Sequence, residues 1–292
     1  MSRTEWHDCR YLTCSVLPVR LACNCRCPFC FSKSSLSALR HDTVAWEQLD
    51  LERYFQFARE RGAMRLVVTG GGEPLLRANA VLDIIRRGKR FFDEIACFTN
   101  GSLLTRDLAQ MLAYAGLSYL CFSRHHFDEA FNRQLMGKAA PTLRQFFDAA
   151  DRLTVRATCV MSRGYIDSEP LVWRYIDRLA DFGVRQFTFK HTYVAYERSV
   201  FAASTEDRWA AEHRVDFDPF AGQGEIVGEL PWGPAVRRIG ELQVCYYHEP
   251  TPAWEKEHQL CRSLNLLSDG TVFASLEDRS SRLFQLTSSS PR

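Results

Sequence analysis

Apolar and polar positions follow two alternating periods over the first two-thirds of the chain. Short apolar runs at residues 11–19, 66–69, 94–99, 117–123, 155–161 and 186–190 predict strands. Between them, residues 46–61, 78–90, 106–115, 142–152 and 169–182 carry apolar residues near helical spacing, with Gly116 and Gly183 as stop signals. Such alternation predicts a parallel sheet with right-handed crossovers. Six units are too few for the closed eight-fold barrel. The expected fold is therefore α/β, an open (β/α)6 partial TIM barrel over residues 1–191.

The pattern changes beyond residue 191. Pro219, Gly222, Gly224, Gly228, Pro231, Gly233 and Pro234 interrupt any long element. Ser268-Asp269-Gly270-Thr271, between two apolar runs, signals a hairpin. Residues 192–292 are expected to form a C-terminal cap of short strands and loops, packed on the barrel mouth and binding substrate.

Composition narrows the classes. Of 292 residues 46% are hydrophobic, enough for a substantial core, and the formal charge of +2 makes no global case for nucleic acid or a membrane. The start, Met1-Ser2-Arg3-Thr4-Glu5-Trp6, lacks a signal peptide's apolar core, and no run is long enough to span a bilayer. Eleven cysteines without an export signal point to a reducing, cytoplasmic setting, with thiols used for metal or chemistry.

Cys23, Cys27 and Cys30 are spaced C-x3-C-x2-C in Cys23-Asn24-Cys25-Arg26-Cys27-Pro28-Phe29-Cys30. This spacing supplies three thiolates to a four-iron cluster and leaves one iron open to a substrate or cosubstrate. Zinc and a disulfide cluster are the competing uses; zinc motifs usually pair two C-x2-C units, and disulfide clusters belong to small secreted domains. The second segment, Leu66-Val67-Val68-Thr69-Gly70-Gly71-Gly72-Glu73-Pro74, reads as a buried strand entering a glycine turn that ends in an acid and a proline.

On these two segments the chain resembles the radical S-adenosylmethionine (radical SAM) superfamily over roughly residues 11–191. The triplet matches that family's cluster motif, and Gly71-Gly72-Glu73-Pro74 its GGEP motif. The resemblance implies a 4Fe-4S cluster on Cys23, Cys27 and Cys30, with S-adenosyl-L-methionine chelating the open iron. Phe29 is the usual aromatic before the third cysteine. Gly70, Gly71 and Gly72 would allow close backbone approach, and Glu73, beside Pro74, would accept from the cosubstrate's ammonium. Asn100 stands at the same end of the sheet, Ser123 and Arg124 would meet the ribose or carboxylate, and Val160 and Met161 would flank the adenine. The implied reaction is reductive cleavage to a 5′-deoxyadenosyl radical that abstracts a substrate hydrogen, fed by a flavodoxin- or ferredoxin-type donor.

Other residues have competing roles. Cys97, Cys121 and Cys159 read as buried core thiols, and Cys25 as pointing away from the cluster. His125 and His126 read as loop polar residues ahead of metal ligands. Lys190 binds a carboxylate or pairs with a structural acid. Cys245 and Cys261 lie alone in the cap and are candidate hydrogen donors. A cysteine near that position, with the chain length, resembles the neomycin (aminoglycoside) epimerase branch. Acids outnumber bases between Glu206 and Glu257, which would draw a polycationic aminosugar. Epimerisation of such a sugar, with Cys245 or Cys261 returning hydrogen, is therefore the expected reaction. A ribosomal-peptide modification is the alternative within enzymes. It would require a separate leader-binding partner, because little sequence precedes the first strand. A non-enzymatic iron–sulfur or zinc protein is the alternative outside them.

Overall fold

The computed structural model describes residues 6–39, 44–195 and 201–286. In chain order its elements are β1 (Arg10–Val16), α1 (Leu51–Glu60), β2 (Arg65–Val68), α2 (Ala78–Gly88), β3 (Glu94–Thr99), α3 (Arg106–Ala115), β4 (Tyr119–Ser123), α4 (Glu129–Met136), α5 (Leu143–Ala149), β5 (Val155–Val160), α6 (Glu169–Ala180) and β6 (Gln186–Lys190). Then follow α7 (Thr205–Glu212), β7 (Glu225–Glu229), β8 (Ala235–Ile239), β9 (Leu242–Tyr247), α8 (Pro252–His258), β10 (Leu260–Leu266), β11 (Thr271–Phe273) and β12 (Arg282–Gln285). No helix among these residues is long and apolar enough to cross a membrane.

Local chemistry sets the helix ends. The helix expected from residue 46 begins only at Leu51, because Asp50 caps it by accepting from the Arg53 amide at 3.1 Å. Gly116 stops α3 in the left-handed region at φ 107°. Thr142 and Gln145 form a capping box at the start of α5. The sequence reading omitted α4, which Asp128 caps by accepting from the Ala130 and Phe131 amides.

One twelve-stranded sheet runs β12-β11-β10-β1-β2-β3-β4-β5-β6-β9-β8-β7. From β10 through β1–β6 to β9 every pairing is parallel, and antiparallel strands flank both ends. The sheet is open, since β9 and β10 lie on opposite flanks without backbone pairing. The open α/β barrel is as expected, but the chain beyond residue 191 is more than a cap. It adds one parallel strand to each edge of the six-stranded core, β9 beside β6 and β10 beside β1. A six-strand edge presents unpaired backbone groups, and these two strands satisfy them. The hairpin expected at 268–271 joins β10 to β11, with Gly270 at φ 85°.

Alternate residues of each strand face the helices or the lumen. The helix-facing core contains Cys14, Val16, Leu66, Val68, Ile95, Cys97, Leu120, Phe122, Cys159 and Phe187, packed by Tyr54, Ile84, Leu112, Phe146 and Tyr175. Cys97, Cys121 and Cys159 are all buried core thiols, as expected, but Cys121 lies on the lumen side, beside Ala96, Phe98 and Tyr119.

Candidate active site

The loop that leaves β1 carries the cysteines, and the loop that leaves β2 carries the glycines. Backbone bonds join them: the Gly71 amide donates to Val19 O at 3.1 Å and the Glu73 amide to Ala22 O at 2.8 Å. Arg20 and Gly71 form an isolated parallel bridge. The approach excludes side chains. A Cβ on Gly72 would lie 1.9 Å from Ala22 O, and one on Gly71 2.5 Å from Val19 O. The close contact made by these two glycines is therefore to the cysteine loop itself. On its far side that loop is tied to α4 through the Arg26 amide and Met136 O at 2.8 Å.

These loops line a cavity of about 230 Å³. Cys23, Cys27, Cys30, Phe29, Gly70, Gly72, Glu73, Pro74, Asn100, Ser123 and Val160 all face it, so most candidate residues converge. Others do not. Arg124 is fully buried behind the sheet, where it pairs with Glu129 at 2.9 Å and donates to the His126 and Pro141 carbonyls. It is spent on α4 and α5 and does not reach the cavity. Met161 packs in the helix-facing core, because side chains alternate and Val160 takes the inward position. Cys25 lines the cavity, contrary to expectation, and its amide donates to Cys23 Sγ at 3.4 Å.

Electrostatics follow from these contacts. The Cys25 thiol, helped by the Cys25 backbone and the Asn100 amide, lowers Cys23 to about 6 against its burial. Burial raises Cys27 and Cys30. Glu73 is 2% exposed, and desolvation raises it to about 7. Its Oε1 accepts from the Leu75 amide at 3.0 Å and Thr99 Oγ1 at 2.8 Å, and its Oε2 from the Asn100 amide at 2.8 Å. A carboxylate offers about four acceptor sites, which leaves one for a ligand donor. His125 Nδ1 accepts from the Val160 amide at 3.0 Å, and burial lowers His125 to about 3, so it stays neutral. Phe29 stands edge-on to His125, ring centroids 4.8 Å apart.

The donor set fits a cluster. Three thiols, Cys23, Cys27 and Cys30, line one cavity, and cluster thiolates each bind a different iron.

A second cavity, about 360 Å³, occupies the barrel lumen. Phe31, Ser32, Thr69, Gly70, Phe98, Thr158, Lys190 and Glu249 line both cavities, so the two adjoin. Leu230, Trp232 and Leu276 add apolar wall from the C-terminal segment. Glu249, following β9, bonds Lys190 of β6 at 3.4 Å and Arg262 of β10 at 3.3 Å, so side chains bridge the open seam. Sequence reasoning missed Arg65, Tyr119, Arg156, Tyr247 and Arg262, which lack a motif. Their only signal is an inward position on a strand.

The candidate donors separate. Cys261 is wholly buried in the helix-facing core and hydrogen-bonded to Cys9. Cys245 pairs in register with lumen-lining Thr188 but lines neither cavity itself. Of the acids of 206–257, Glu249 lines the two cavities. Glu206 pairs with Lys33, Asp207 and Glu255 are buried, Glu249 bridges the seam, and Glu225, Glu229 and Glu241 point to solvent.

Residues 18–157 match the Radical SAM superfamily profile. The GTP 3′,8-cyclase of Heliobacterium modesticaldum is 34% identical over 112 residues, covering 38% of this chain and 32% of that protein. The Rhodopirellula baltica GTP 3′,8-cyclase is 36% identical over 111 residues, or 37% and 30% of the two chains. The match thus spans about a third of the length of these relatives. Among solved structures, Streptococcus suis SuiB bound to S-adenosylmethionine superposes with a TM-score of 0.61 at 15% identity, over 91% of this chain and 60% of SuiB. SuiB bound to its precursor peptide SuiA gives 0.62 at 15%, over 96% and 63%. The structural likeness is one of fold.

Proposed function

Residues 18–157 form a radical SAM superfamily domain, and on that premise we propose that this protein is a radical SAM enzyme acting on a small molecule held in the barrel lumen. Cys23, Cys27 and Cys30 would hold a 4Fe-4S cluster, and the adjoining cavity would take S-adenosylmethionine. Bound there, the cluster and S-adenosylmethionine would supply one-electron reductive cleavage and hydrogen-atom abstraction chemistry. The chain's residues orient and enclose. Glu73 keeps an acceptor site for the methionine ammonium. Asn100 and Ser123 face the same space, and Phe29, His125 and Val160 offer an apolar wall to the nucleoside. Phe31, Phe98, Leu230, Trp232 and Leu276 exclude water from the lumen.

The supporting observation is the shared lining of the two cavities, which places the lumen directly beside the cysteine loop. The lumen volume suits a small-molecule ligand. GTP, on which the related cyclases act, belongs to that class; the precursor peptide bound by SuiB does not, and it stands as the second substrate class to test. Among the possible reactions, epimerisation requires a lumen thiol, and Cys121 lines that space while Cys245 lies beside it. A polycationic aminosugar gains no support from the lumen, whose charged lining is mostly basic.

Anaerobic reconstitution with iron and sulfide, then dithionite and S-adenosylmethionine, tests the reading. About four irons per chain and 5′-deoxyadenosine should appear, and Ala at Cys23, Cys27 or Cys30 should abolish both. Colourless protein that binds one zinc and releases no deoxyadenosine would refute it.

A further inference from the structure

We infer that the substrate carries an acidic group, a carboxylate or a phosphate, and that the lumen binds it on Arg156, with Lys190 and Arg262 elsewhere on the same lining. This rests on the reading above only in taking the lumen as the substrate site.

The charge of the lining points to it. Arg65, Arg156, Lys190 and Arg262 face the cavity, and Glu249 is the acid among its described lining residues. Arg156 is held by neutral partners: Nε donates to Gln186 Oε1 at 2.9 Å and Nη1 to Tyr119 OH at 3.3 Å. Its guanidinium stacks on the Tyr119 ring, 4.1 Å from the centroid. The fork is thus fixed in orientation while its charge has no carboxylate among these partners. Such a planar fork matches a carboxylate or phosphate through two parallel bonds.

On the other walls Lys190 and Arg262 share one oxygen, Glu249 Oε1, at 3.4 and 3.3 Å. Glu255 and Glu277 also favour the Arg262 charge, although neither lines the cavity. Arg65 has Glu94 at 3.6 Å, on a pair more than a third exposed. Cations removed from water are costly unless paired, and a ligand anion supplies the missing partner. A cationic ligand would add like charge to the same walls.

Reconstituted, S-adenosylmethionine-bound protein should be titrated calorimetrically with pyrophosphate, tricarballylate and spermidine. At least one anion should saturate, and the tighter of the two assigns phosphate or carboxylate chemistry. Arg156→Gln should weaken that binding about tenfold, and Arg156→Lys should restore part of it. Arg282→Gln, on the exposed edge strand β12, reports the background from surface charge and should leave binding unchanged. Melting curves verify that each variant is folded. Equal anion binding by wild type and Arg156→Gln, no saturable anion binding, or saturation by spermidine alone would overturn the inference. Deoxyadenosine release by the same wild-type preparation separates the two claims. Cleavage with Arg156-independent binding sinks only the acidic substrate. Arg156-dependent binding without cleavage sinks only the radical reading.

Discussion

Gly72→Ala is the sharpest probe of how the two motif loops depend on each other. The added Cβ would lie 1.9 Å from Ala22 O and 2.6 Å from Ala22 C, both backbone atoms that cannot rotate aside. Restoring ordinary contact requires roughly 1.5 Å of movement. Ala22 immediately precedes Cys23, so the shift displaces the cluster loop or breaks the Glu73 amide bond to Ala22 O. Overpacking of this kind costs about 1–3 kcal/mol. Misplacement by about 1 Å can reduce a reaction about 100-fold. The assay compares iron content, S-adenosylmethionine binding and deoxyadenosine release in reconstituted protein. Gly183→Ala is the control: its φ of 88° brings backbone strain, but nothing lies within 4 Å of the new Cβ. Gly72→Ala should retain a folded far-ultraviolet spectrum while losing cleavage by about two orders of magnitude, and Gly183→Ala should lose stability alone. Normal cleavage by Gly72→Ala would refute the coupling of the loops.

Three further outcomes are expected. Glu73→Gln keeps one acceptor oxygen and turns an amide toward a buried donor, so urea unfolding should show a loss of about 1–3 kcal/mol; unchanged stability would mean the three bonds to Glu73 carry little. His125 is depressed to about 3 in the folded chain by burial, so the unfolded state binds the extra proton as pH falls below about 6.5. Folding stability should then fall by about 1.4 kcal/mol per pH unit between those values through this group, and His125→Asn should lack that component; identical pH slopes in the two proteins would contradict it. Cys261→Ala should leave any solvent-deuterium incorporation into product intact, because its thiol bonds Cys9 away from the lumen. Loss of deuterium in that variant, with Cys121→Ala and Cys245→Ala unaffected, would contradict the placement.

The sites that sequence reasoning missed share a cause. Arg156 and Arg262 belong to no motif, and each matters only because its strand turns it inward. Cys121 and Cys159 read alike in the chain, yet β4 presents Cys121 to the lumen and β5 buries Cys159 under the helices. A one-residue change of phase exchanges those fates. Arg124 follows Ser123 directly and was expected to share its role. Leaving the strand, it turns behind the sheet and fixes α4 through Glu129.

By itself the sequence determined the strand–helix alternation, the open parallel sheet, the cysteine triplet and the glycine turn. All of these are written in spacings of a few residues, where local backbone preference and ligand geometry act. Only the tertiary structure decided that β9 and β10 extend the two barrel edges, that Glu249 bridges the seam, and that basic side chains face one lumen. These depend on pairings between strands far apart in the chain, and an unpaired edge accepts whichever strand the whole fold brings to it.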